Sequence, residues 1–167
     1  MITPDYARTM ARYNRWQNRS LVHAADALPD AERRRDRGAF FGSIAATLNH
    51  VLWDDRVWLA RLSGDAERAA AIGVRHPYTD TPEDWSDYVR EREALDATIG
   101  AWADGLAPAD LEARTDWMRG DEPMRSSRGF LVVHLFNHQT HHRGQVHAML
   151  TAAGATPEPT DLPVLPR

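Results

Sequence analysis

At 167 residues, 43% of them hydrophobic and 26% charged, the chain has the length and composition of one globular domain able to bury its own core. Its net charge of -4 excludes the broad positive field of a non-specific nucleic-acid binder, and no apolar run approaches the roughly 20 residues that cross a bilayer. The absence of cysteine excludes disulfides, thiolate ligands and a cysteine nucleophile, and because all 20 basic residues are arginine, lysine chemistry is excluded as well.

Residues 1–16 lack the apolar core and cleavage site of a signal peptide, so the expected location is the cytoplasm. Helical periodicity then begins at once. Tyr6, Met10, Tyr13, Gln17, Leu21, Ala24 and Leu28 recur at steps of three and four up to Pro29, the first expected helix. The run Glu32 to Arg37 mixes acids with arginines and reads as a solvated connection.

Phe41, Ile44, Leu48, Val51, Leu52, Leu59 and Leu62 form a second helix that ends at Ser63-Gly64 and whose wide apolar surface predicts the deepest burial. A third opens on Thr81-Pro82-Glu83-Asp84, a hydroxyl cap with proline at the first helical position, and continues through Trp85, Tyr88, Arg92, Leu95, Ile99, Trp102 and Leu106. Between Leu111 and Ser127, the segment Arg119-Gly120-Asp121-Glu122 sits where a short hairpin would turn. The fourth helix spans about Ser127 to Ala153, and the tail from Pro157 to Arg167, with four prolines in eleven residues, is expected to be an extended strap or disordered. The chain is thus expected to be an all-helical, four-helix protein forming a single domain over 1–167.

Five of the eight histidines fall between His134 and His147. Residues four apart share a helix face, so His138 and His142 can converge on one ion, the His-x-x-x-His spacing of zinc-binding helices. Both lie on the stripe Leu131, Leu135, His138, His142, Gln145, Met149, which a bundle helix turns toward its core. His134 and His141 flank that stripe as rim groups, and His147 faces elsewhere. The third ligand is sought in His50, in the middle of the most buried helix, with Asp54 one turn on to accept its far N–H or to stand beside an open coordination position. Trp53, Arg143 and Gln145 would supply aromatic and polar lining. A core role without metal is the plain alternative for His50 taken alone. The fourth helix carries no acid from Ser126 to Thr156, which disfavours a di-iron carboxylate bundle, and no His-Glu-x-x-His is present.

These residues resemble the DinB family. Tyr13-Asn14-Arg15-Trp16-Gln17-Asn18 is similar to its first-helix pattern, Asn49-His50 through Trp53-Asp54 to its second-helix motif, and His134 through Gln145 to its fourth-helix signature. The resemblance implies a DinB/YfiT-like four-helix bundle, up-down-down-up, often a homodimer, with one divalent metal ion on His50, His138 and His142. Zinc or nickel would suit three imidazoles, as would iron or copper. It also implies relatives that act with low-molecular-weight thiols as S-transferases or isomerases on small molecules, without nucleic acid or membrane partners. A metal-dependent hydrolase or thiol transferase is one expectation. A non-catalytic metal-binding bundle of the stress response is the other.

Overall fold

The computed structural model describes residues 1–73 and 84–166. Seven helices and one hairpin follow in chain order among them: α1 (Pro4–Asp26), α2 (Asp30–Arg34), α3 (Ile44–Leu62), α4 (Ala66–Gly73), α5 (Trp85–Asp104), α6 (Pro108–Glu112), β1 (Arg114–Arg119), β2 (Glu122–Ser127) and α7 (Arg128–Ala152). The four long helices pack as neighbours, α1 and α3 each lying against both α5 and α7. Their shared interior holds Leu21, Leu52, Leu62, Ile99, Leu131, Leu135 and Phe136, all nearly sealed from solvent.

Local chemistry sets the helix starts. Thr3 Oγ1 accepts the Tyr6 N–H at 3.2 Å, with Pro4 next and Asp5 in the first turn of α1. Ser43 caps α3 through Ala46 N–H at 3.1 Å. At α5 the cap is Asp84, which takes the amides of Ser86 and Asp87. The expected Thr81-Pro82-Glu83 start lies outside the described residues; the observed helix begins at Trp85, directly after Asp84, the last residue of the four-residue motif.

Helix α3 buries fourteen of its nineteen residues, in keeping with its wide apolar surface. Its start is later than its periodicity implies. Phe41 belongs to the turn before the cap, because Gly42 has φ 78°, a conformation that ends helical geometry on that side. The charged run departs from a solvated connection in part: Glu32–Arg34 complete α2 and Arg33 is buried, its guanidinium donating to Ala25 O at 3.2 Å and lying 4.7 Å over the Trp85 ring, while Arg34, Arg35 and Asp36 stay exposed.

The expected hairpin is present. β1 and β2 pair antiparallel from Arg114 opposite Ser127 to Arg119 opposite Glu122. Gly120 takes φ 58° at the first position of the two-residue turn, as a type II′ connection requires. Trp117 of β1 docks 5.2 Å from Trp58 of α3, and Arg61 lies over both rings, which fixes the hairpin to α3. The tail runs along α1: Ser20 Oγ accepts Glu158 N–H at 2.8 Å, Gln17 Nε2 donates to Pro159 O at 2.9 Å, and Tyr13 Oη donates to Thr160 O at 2.7 Å. No helix among the described residues is long and apolar enough to cross a membrane.

Candidate metal centre

Packing of α3 on α7 brings His50 against the pair His138 and His142. One ring nitrogen from each lies within 4.8 Å of the others. His138 Nε2 stands 3.3 Å from His50 Nε2 and 3.1 Å from His142 Nε2. Three nitrogens bound tetrahedrally at ~2.0–2.1 Å from one ion would stand about 3.3 Å apart. The spacing therefore fits a shared divalent ion.

The outer nitrogens are consistent with that use. His142 Nδ1 donates to Gln145 Oε1 at 2.7 Å, which leaves Nε2 a bare lone pair facing the other rings. Asp54 Oδ2 stands 3.0 Å from His138 Nδ1, an ion-pair contact, so the carboxylate turns to His138 and not, as expected, to the far N–H of His50. His50 Nδ1 is buried without a hydrogen-bond partner. The three inward nitrogens have only one another as neighbours, at 3.1 and 3.3 Å, and that of His142 offers a lone pair there. A cation would satisfy all three.

Electrostatics separates the rings. Burial, reinforced by His138, pushes His50 down to about 4 against the pull of Asp54. His142 is lowered as well, chiefly by burial, despite its bond to Gln145. For His138 burial works the same way, but Asp54, with help from Asp55, outweighs it and the pKa rises. At neutral pH, His50 and His142 are thus held in the neutral form that a ligand needs.

Phe41 roofs the cluster, stacked 4.0 Å from the His50 ring and 5.3 Å from that of His142. The centre is not closed, because the His138 side chain keeps 19% of its surface exposed. Trp53 lies 6.0 Å from His50, ring to ring, and its N–H is spent on Ile72 O, so it also holds α4 in place. His134 stacks edge-on to Trp58 at 4.6 Å and stands 5.8 Å from His138, whereas the exposed His141 touches His142 at 4.8 Å.

One sequence candidate does not belong here. Arg143 finds its partners in Gln139, Thr140 and the Tyr13 ring and contacts none of the three histidines, because its position on α7 turns it toward α1. Sequence reasoning also missed Phe41 as a cover, having counted it into the helix, and Asp55, which takes a 2.7 Å hydrogen bond from Gln139 directly behind the site. An acid in the middle of the most apolar helix was the available signal for Asp55.

The histidines, their spacing and the motif around them can now be set against known proteins. The family model of the DinB family matches residues 1–167. The chain belongs to the DinB family. It is 26% identical over 162 residues to Protein DinB of Bacillus subtilis (strain 168), covering 94% of this chain and 91% of that protein. The crystal structure of a DinB-like protein from Bacillus cereus ATCC 10987 superposes with a TM-score of 0.61 over 86% of this chain and 90% of the other, at 19% identity, a likeness of fold. The helical DinB-like fold and a three-histidine cluster able to accept an ion therefore occur together in one chain.

Proposed function

We propose that this DinB protein binds one divalent metal ion through His50, His138 and His142, zinc or nickel before iron or copper, and works as an enzyme on a small-molecule substrate. The observation that carries the reading is the convergence of three Nε2 atoms at 3.1 and 3.3 Å steps. When bound, the ion would supply Lewis acidity and lower the pKa of a water or thiol at its fourth position. The partial exposure of His138 is the support for such a position being reachable.

The chain's own residues contribute placement and charge. Gln145 and Asp54 orient the His142 and His138 rings, and the Asp54 carboxylate balances positive charge gathering at the centre. Phe41 and Trp53 keep one side apolar, which suits the carbon skeleton of a substrate beside an anionic nucleophile. On this reading the nucleophile is a low-molecular-weight thiol and the reaction an S-transfer or isomerisation. The accompanying proposal for the architecture is one domain arranged as an up-down-down-up bundle and paired as a homodimer in the cytoplasm.

The test is elemental analysis of tag-free protein beside its His50→Ala and His142→Ala variants. About one equivalent of metal in the parent, lost from both variants, is the expected result. A folded parent that takes up neither zinc nor nickel would sink the metal site. With cobalt in place, adding mycothiol, bacillithiol or glutathione should change the visible spectrum for one of them. Silence from all three would leave the ion in a structural role.

A further inference from the structure

Helix α7 carries a second feature, for which the proposed metal chemistry has no use. Arg143 is 6% exposed, yet its guanidinium uses only two N–H groups, both on neutral acceptors: Gln139 Oε1 at 2.9 Å and Thr140 Oγ1 at 3.3 Å. The Tyr13 ring lies 5.5 Å away. A guanidinium has five N–H donors, so most remain unused. Asp55 and Asp96, the acids whose field it feels, are both ion-paired with Arg92. Asp55 reaches Arg143 only through Gln139. A buried cation with donors to spare and no acid in contact calls for an anion.

There is room for one. Arg143 lines a cavity of about 350 Å3 walled by Tyr13, Gln17, Leu21, Thr140 and His147, with Thr160 of the tail strap at its edge. None of the three clustered histidines lines it. Gly144 is part of the wall, and a Cβ built there would meet nothing within 4 Å. Glycine inside a helix costs about 1 kcal/mol against alanine, and here neither a clash nor a left-handed φ demands it. What the missing side chain does is leave the cavity open beside Arg143.

We propose that this cavity binds a small organic acid, its carboxylate on the unused donors of Arg143 and its carbon skeleton against Leu21 and Ala148. The planar guanidinium matches a carboxylate with two parallel hydrogen bonds. His147, one turn beyond Arg143 on the same face of α7, adds a ring N–H to the wall. The volume sits at the low end of the ~300–1,000 Å3 range of ligand pockets, which selects a metabolite-sized acid over a nucleotide or peptide. The braces from Tyr13 and Gln17 to the tail make the outer wall part of the site.

The experiment is a titration of 15N-labelled full-length protein with benzoate, and separately with neutral benzamide, followed at the arginine Nε–H signals. Arg143→Lys assigns the Arg143 signal. Benzoate should shift that signal and the amides of Gly144 and His147 to saturation, while benzamide leaves them in place. Gly144→Leu fills the cavity without touching the partners of Arg143, and should weaken benzoate binding about tenfold or more while the signals of His50, His138 and His142 stay unchanged. The proposal is overturned if benzamide acts as benzoate does, if the shifts never saturate, or if Gly144→Leu binds benzoate as the parent does. Shifts confined to the three clustered histidines would overturn it too, placing the acid at the metal centre instead.

Discussion

His50 is the residue whose titration the fold changes most among the candidate ligands. Its pKa falls from 6.5 to about 4, burial being the main cause and His138 the next. The unfolded chain therefore binds more protons than the folded one between about pH 4 and 6.5, so stability rises with pH across that window and is lost as pH falls through it. A shift of this size corresponds to about 3 kcal/mol. Chelator-treated protein should show that gain in urea melts taken at pH 4.5 and 7, and His50→Gln should flatten it. A slope identical in parent and variant would show that His50 is not the titrating group. Asp54 makes a second, separate prediction. Because its carboxylate holds His138 from the side away from the other rings, Asp54→Asn should weaken zinc binding about 10- to 100-fold in a competition assay, with the fold unchanged. Unaltered affinity would reduce Asp54 to a bystander.

At the level of elements, what is legible in the chain is what is local. Spacing of three and four places α1, α3, α5 and α7, and the i, i+4 geometry of a helix is enough to make His138 and His142 a pair. Helices α2, α4 and α6, five to eight residues long, are too short to show a period, and the stretch that follows Ser63 has the character of an ordinary connection. The boundary at Phe41 fails for a different reason. Phe41 lies at helical spacing from Ile44 and Leu48, but Gly42-Ser43 is the stronger signal, a glycine at φ 78° followed by a capping hydroxyl. That turn swings Phe41 onto His50 instead of into the helix. Two variants separate the jobs. Ser43→Ala removes the cap and should cost about 1 kcal/mol, read as a lower melting temperature with metal content intact. Phe41→Ala should leave the helix start as it is but open the roof, so that the metal exchanges faster with a chelator. A Phe41→Ala protein that loses helix content by circular dichroism would mean that the turn, and not the cap, starts α3.

Across the whole molecule, the four long helices are joined by charges that no local pattern announces. Arg92 of α5 is 2% exposed and pairs with Asp55 of α3 at 2.6 Å and Asp96 at 2.8 Å. Asn18 of α1 donates to Asp96 at 2.9 Å, and Gln139 of α7 to Asp55 at 2.7 Å. Only the Arg92–Asp96 pair, four apart, is visible in the sequence; partners 37 to 84 positions away become partners only once the helices are packed. By periodicity alone, Arg92 is one more member of an amphipathic stripe. Burial pushes Asp55 up to about 6 even with Arg92 beside it, so the folded chain holds that proton more tightly than the unfolded one between about pH 4 and 6. This carboxyl therefore contributes its full stability below that window and loses it as pH rises, opposite in sign to His50, which is why each effect has to be read as a difference between variants. Arg92→Met leaves two buried carboxylates with no cation and should cost about 3–5 kcal/mol at pH 7. The deficit should shrink at pH 5, where Asp55 can take a proton, and urea melts at the two pH values measure it. If the loss is the same at both, the charge of Arg92 is not what holds the four helices, and its packing volume is.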